Sequence, residues 1–156
     1  MRAIQQFLID NNWPRNDIYL IGGAALYHHG VKDYVNDYDI LIQPQEFYTI
    51  ENMYGKVDCV PLQKALLADG WQERAVLIDT AEMVDIKILS IEDIAINITS
   101  GIHAQKYYNN LLDILQYCDI KKLRNLIALC KNQYYIYIRQ DLFYSNLAIL
   151  EEIING

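Results

Sequence analysis

Apolar positions recur along this chain at two spacings. Ile4, Phe7 and Leu8 stand at helical intervals, so residues 2–11 read as an amphipathic helix, ended by Trp13-Pro14. Ile18-Tyr19-Leu20-Ile21 is a short apolar run bounded by Gly22-Gly23, the pattern of a buried strand, and residues 24–29 read as a short helix closed by Gly30. Over 37–42 the period becomes two: Asp37, Asp39 and Leu41 share one face, and Tyr38, Ile40 and Ile42 the other. Pro44 is read as opening a helix that carries Phe47 and Ile50, and Pro61 as opening another through Leu66 and Leu67 to Gly70. Residues 75–79 and 83–89 read as strands joined by Thr80-Ala81-Glu82. Ser90 then caps a helix in the S-x-x-D pattern with Asp93, carrying Ile91, Ile94, Ala95 and Ile98 and interrupted at Gly101. Helices follow over 103–118, from Asp119 to about Cys130, and over 141–154, while the Tyr/Ile alternation of 134–138 fits strand or helix.

These elements predict an α/β (α+β) fold: a small mixed β-sheet with flanking helices, followed by a helical C-terminal part. The 156 residues suit a single domain in two parts, an α/β unit over 1–89 and a mainly helical tail over 90–156. Charge narrows the partners. The net charge is −7, which repels phosphates on average and disfavours non-specific nucleic-acid binding. Cys59, Cys118 and Cys130 form no CxxC pair and lie in apolar stretches, so they read as free buried thiols in a reducing compartment such as the cytoplasm. The first residues lack a signal peptide's apolar core, and no apolar run is long enough to span a membrane.

The candidate chemistry lies in three places. Gly22 and Gly23, between strand and helix, let backbone approach a ligand where a Cβ would clash, and the helix behind them aims free N–H groups at it. That suits the phosphates of a nucleoside triphosphate. Asp37 and Asp39 project from one face of a strand that continues into Ile40-Leu41-Ile42. Close carboxylates repel unless a cation sits between them, and Mg²⁺ takes such oxygen ligands together with substrate phosphates. Asp85 stands in an apolar strand, Val84-Asp85-Ile86-Lys87-Ile88, where a charge is costly unless paired or metal-bound. It is expected to complete a three-carboxylate cluster for one or two Mg²⁺ ions, and to take or acidify the acceptor's proton. Lys87, on the same face, is a candidate for phosphate or for a salt bridge to Asp85. His103 and Lys106 are candidates for a triphosphate or a nucleic-acid end, against a solvated face. His28, His29, Trp13, Trp71 and the basic run Lys121-Lys122-Leu123-Arg124 read as surface or packing residues.

Those residues carry a resemblance. Ile18 to Gly30 followed by Asn36-Asp37-Tyr38-Asp39-Ile40-Leu41-Ile42 resembles the Gly-Gly motif and D-x-D strand of the DNA polymerase β-like nucleotidyltransferase superfamily. Val84-Asp85-Ile86-Lys87 resembles its third-carboxylate strand, and Ser90 to Ala95 the following helix of a subgroup. That subgroup includes nucleotidyltransferase toxins of bacterial abortive-infection and toxin–antitoxin systems. The resemblance spans roughly 15–118. It departs at Lys32 and Val35, where many relatives have Arg and Thr, at Asn97 in place of a lysine, and around His103, Lys106 and Tyr108-Asn109-Asn110, with Asp113 retained. It implies a Mg²⁺-dependent transfer of an NMP, from ATP or another NTP, to a hydroxyl on a tRNA or other RNA end, a protein or a small molecule. It implies as the alternative a weakly active or inactive binding module that works through a protein partner, such as a cognate toxin or antitoxin. A third reading is an oligomeric structural protein whose acidic residues are only solubilising.

Overall fold

The computed structural model describes residues 1–11, 17–42, 48–61, 65–133, 135 and 140–156. The chain divides into two compact units, Met1–Ala65 with Arg74–Leu89, and Leu66–Glu73 with Ser90–Gly156.

The first unit is built on a six-stranded mixed sheet. Its strands are β1 (Ile18–Ile21), β2 (Asp37–Ile42), β3 (Tyr48–Asn52), β4 (Gly55–Pro61), β5 (Val76–Ala81) and β6 (Val84–Ile88), in the order β3-β4-β2-β1-β6-β5. β2 is antiparallel to β1 and parallel to β4, and β6 is parallel to β1. Alternation sorts the side chains into two faces. Ile18, Leu20, Ile40, Val57, Cys59, Ile86 and Ile88 are buried on one. The registers place Asp37, Asp39, Asp58, Asp85 and Lys87 on the other. Helix α1 (Arg2–Asp10) buries Ala3, Ile4, Phe7 and Leu8, a single stripe of its surface, and packs on β3 and β4. Helix α2 (Gly22–His28) packs on β1 and β2 and ends at Gly30, whose φ of +80° is the left-handed value a helix stop commonly uses.

Two expectations fail here. Ile50 lies in strand β3, and Pro61 ends strand β4 instead of opening a helix: residues 48–61 form a β-hairpin, and the described residues 65–70 are not helical. Pro44 and Phe47 lie outside the described residues, as do Trp13-Pro14 and residues 62–64. The cause is legible in β4: Val57, Cys59 and Pro61 alternate into the core, and that period of two outweighs proline's preference for a first helical turn. Hairpin β5–β6 turns at Glu82 and Met83, later than expected, with both residues at positive φ (49° and 63°), as a two-residue turn matched to strand twist requires.

The second unit holds α4 (Ile91–Thr99), α5 (Gln105–Leu115), α6 (Ile120–Lys131) and α7 (Gln140–Asn155); the short α3 (Trp71–Arg74) lies at the junction of the two segments. Ser90 caps α4 as expected: its side chain accepts from the Asp93 N–H and donates to Asp93 Oδ2 at 2.6 Å. Leu123, Leu126, Ile127 and Cys130 recur at helical spacing on α6 and are buried, with Leu111 and Ile114 of α5 and Phe143, Leu147 and Leu150 of α7. Segment 66–70 belongs to this unit because its backbone is tied there: Leu66 N–H donates to Asn97 Oδ1, Tyr135 Oη donates to Leu67 O, and Asp69 N–H donates to Gln133 Oε1. Cys59 and Cys130 are buried free thiols and Cys118 is half-buried. Of the 134–138 alternation only Tyr135 lies within the described residues. Among the described residues no helix is long and apolar enough to cross a membrane.

Candidate active site

Strand β2 delivers Asp37 and Asp39 to the polar face, and Asp39 is level with Ile21, the last residue of β1. Gly22 follows with φ +62°. A Cβ built on Gly22 would collide with Asp39 Oδ2, so the glycine is required twice, by its backbone and by the carboxylate pressed against it. Gly23 has nothing within 4 Å of where its Cβ would stand, leaving open space at the first turn of α2.

The partner of Asp39 is on β4. Parallel pairing sets Asp39 opposite Asp58 and Asp37 opposite Lys56. The two carboxyls are hydrogen-bonded. Burial, then the Asp58 charge and that hydrogen bond, with Asp37 adding, push the Asp39 carboxyl up to about 7 against the pull of Lys56. Asp58 is held from the next strand: Thr49 Oγ1 donates to its Oδ1 at 2.6 Å, and Lys56 Nζ stands 3.9 Å from the same atom. Two adjacent strands thus present an oxygen-only set, whose mutual repulsion a shared proton or a hard divalent cation would relieve. Asp37 lies on the same face, and among the described residues no three His, Cys, Asp or Glu side chains are grouped so that they could hold a metal ion.

Asp85 does not join this set. β6 runs parallel to β1 with Ile86 level with Ile18, which puts Asp85 below the first residue of β1 while Asp39 is level with the last. Four residues along the strands and two strands across, the separation is about 16 Å. Asp85 is instead paired on the hairpin, accepting from Thr80 Oγ1 at 2.9 Å. Lys87 is at that same end, its Nζ 2.9 Å from Asp17 Oδ2 and over the Tyr19 ring at 5.9 Å, so its pairing is with Asp17 and not with Asp85. Lys106 is exposed on α5 in the helical unit, its Nζ 5.8 Å from the Tyr107 ring centre, and His103 is exposed just before that helix. His29 Nε2 lies 2.7 Å from Leu89 O, a packing role as expected.

The residue that sequence reading missed is therefore Asp58. Its setting, Val57-Asp58-Cys59-Val60, is the same apolar-flanked aspartate pattern that drew attention to Asp85, and recognising β4 as a strand parallel to β2 was the step that would have found it.

Searches of curated proteins and of solved structures return no match for this chain. A family model does match, over residues 2–151, and its description is nucleotidyltransferase of unknown function. Because that match covers both the carboxylate sheet and the helical unit, the chain belongs to this family, DUF6036.

Proposed function

We propose that the protein transfers an NMP from an NTP to a hydroxyl acceptor, with Asp37, Asp39 and Asp58 as its carboxylates. The observation that carries this reading is the Asp39–Asp58 pair, in register on parallel strands, with Asp39 pressed against Gly22 at the start of α2. These residues suit Mg²⁺, which when bound would neutralise the triphosphate and lower the acceptor hydroxyl's pKa. Asp37 and Asp39 are the residues to hold it. The backbone at Gly22 and Gly23 receives phosphate oxygens, with open space at Gly23. Asp58, fixed by Thr49, takes the acceptor's proton; the freed oxygen attacks the α-phosphorus and pyrophosphate leaves with the broken bond's electrons. Asp85 and Lys87 have no part in this scheme.

The test is transfer of label from α-labelled NTPs to RNA, protein and small-molecule acceptor pools. Asp58→Asn should lower the rate at least about 100-fold, the usual scale for a lost proton acceptor, while Asp85→Asn stays within about threefold. Equal losses in both would contradict the assignment.

One observation favours a second reading, a protein-binding module on the same fold with weak or no catalysis: Lys56, the cation beside the carboxylates, is already engaged by Asp58. That reading predicts a stable complex with a protein partner and no Mg²⁺-dependent binding of any NTP.

A further inference from the structure

The connection between the glycine pair and the carboxylate strand builds a second feature in the first unit. Tyr27, His28, Asp33, Tyr34, Val35 and Tyr38, together with Met1, line an open cleft of about 430 Å³. That volume is within the range of small-molecule sites, about 300–1,000 Å³. Its lining is aromatic: Tyr27 is 43% exposed and Tyr34 62%, large rings left in contact with solvent beside a concavity. Tyr27 meets His28 edge to face, with ring centres 5.2 Å apart and planes at 83°. Burial, and then the N-terminal ammonium and His29, lower the His28 pKa against the pull of Asp79, which favours the neutral imidazole as a hydrogen-bonding group. Asp33 supplies an acceptor for exocyclic amino groups. The Met1 ammonium at the cleft is held by Tyr38 Oη, to which it donates at 2.9 Å; the exposed aromatic faces, with the His28 imidazole and the Asp33 acceptor, suit a flat, hydrogen-bonding ring.

Placement sets what such a ring belongs to. Tyr38 stands between Asp37 and Asp39 on β2, so its side chain is on the opposite face of the sheet from theirs. A base in the cleft and phosphates at the carboxylates would occupy different faces of one strand.

We propose that this cleft is a nucleobase site, and that it holds a base of the acceptor, which makes the acceptor a nucleotide or nucleic acid. This rests on the transferase reading for the acceptor's role, but base binding itself does not depend on Asp39.

The experiment is a ligand-observed NMR titration with adenosine, guanosine, cytidine and uridine, without Mg²⁺, on the wild type, Asp39→Ala, Tyr34→Ala, Tyr27→Ala and Tyr34→Phe. At least one nucleoside should bind the wild type and Asp39→Ala equally. Affinity should fall about tenfold or more in Tyr34→Ala or Tyr27→Ala, and survive within about twofold in Tyr34→Phe, which keeps the stacking face. Bound nucleoside should remain when Mg²⁺ and saturating NTP are added. No binding by any nucleoside, or binding indifferent to both alanine variants, would overturn the site. Displacement by Mg²⁺ and NTP would assign the cleft to the donor base and overturn the acceptor role. A failed transfer assay with intact nucleoside binding would sink the transferase reading alone.

Discussion

The chemistry converges on Asp39, whose carboxyl is raised from its ordinary value to about 7, first by burial and then by Asp58. The folded state therefore holds a proton on this group that the unfolded chain has released above about pH 4. Stability from the group is full below its unfolded pKa and is lost as pH rises through about 7, by no more than about 4 kcal/mol. Asp39→Asn, which keeps a neutral group of the same shape, should match the wild type near pH 4 and become progressively more stable than it up to about pH 8 in urea melts without divalent cations. Mg²⁺ should close that gap, because a cation and a proton compete for the same oxygens, and its affinity should rise as pH rises to about 7. A constant difference across that range would mean that Asp39 is ionised throughout. Gly22 is tied to the same atom. Gly22→Ala combines a left-handed backbone with a collision against Asp39 Oδ2 and should cost about 2 kcal/mol or more, whereas Gly23→Ala meets open space and should be neutral or slightly stabilising by thermal melt.

At the scale of elements, the sequence was legible wherever local pattern decides. The β1–Gly22–α2 junction, the period of two over β2, the β5–β6 hairpin and the Ser90 cap were all read from short-range signals, and Ser90→Ala should cost about 1 kcal/mol. The β3–β4 hairpin was not read, because Pro44 and Pro61 carry a helix-start signal that competes with alternation in Val57, Cys59 and Pro61. That one missed hairpin displaced the third carboxylate. Asp58 and Asp85 share the local pattern of a lone aspartate among apolar strand residues. Only strand order separates them, and strand order is a long-range property: β4 lies beside β2 in register, while β6 lies beyond β1 and offset toward the opposite end. The pair Asp37 and Asp39 needed no such information, since two residues apart on a strand suffices.

For the whole molecule, the family match spans the sheet unit and most of the helical unit, and 13 basic against 20 acidic residues leave an acidic chain. The proposed NTP would therefore be held by a local site, and not by the overall field. The most direct measurement is the thermal stability of wild type, Asp39→Asn and Asp85→Asn with each NTP, with and without Mg²⁺. A ligand that binds the folded state alone adds about 2.7 kcal/mol at a hundred times its dissociation constant. The proposed function predicts a Mg²⁺-dependent shift in the wild type and in Asp85→Asn, and its loss in Asp39→Asn. A shift that survives Asp39→Asn and disappears in Asp85→Asn would contradict the site proposed at Asp37, Asp39 and Asp58.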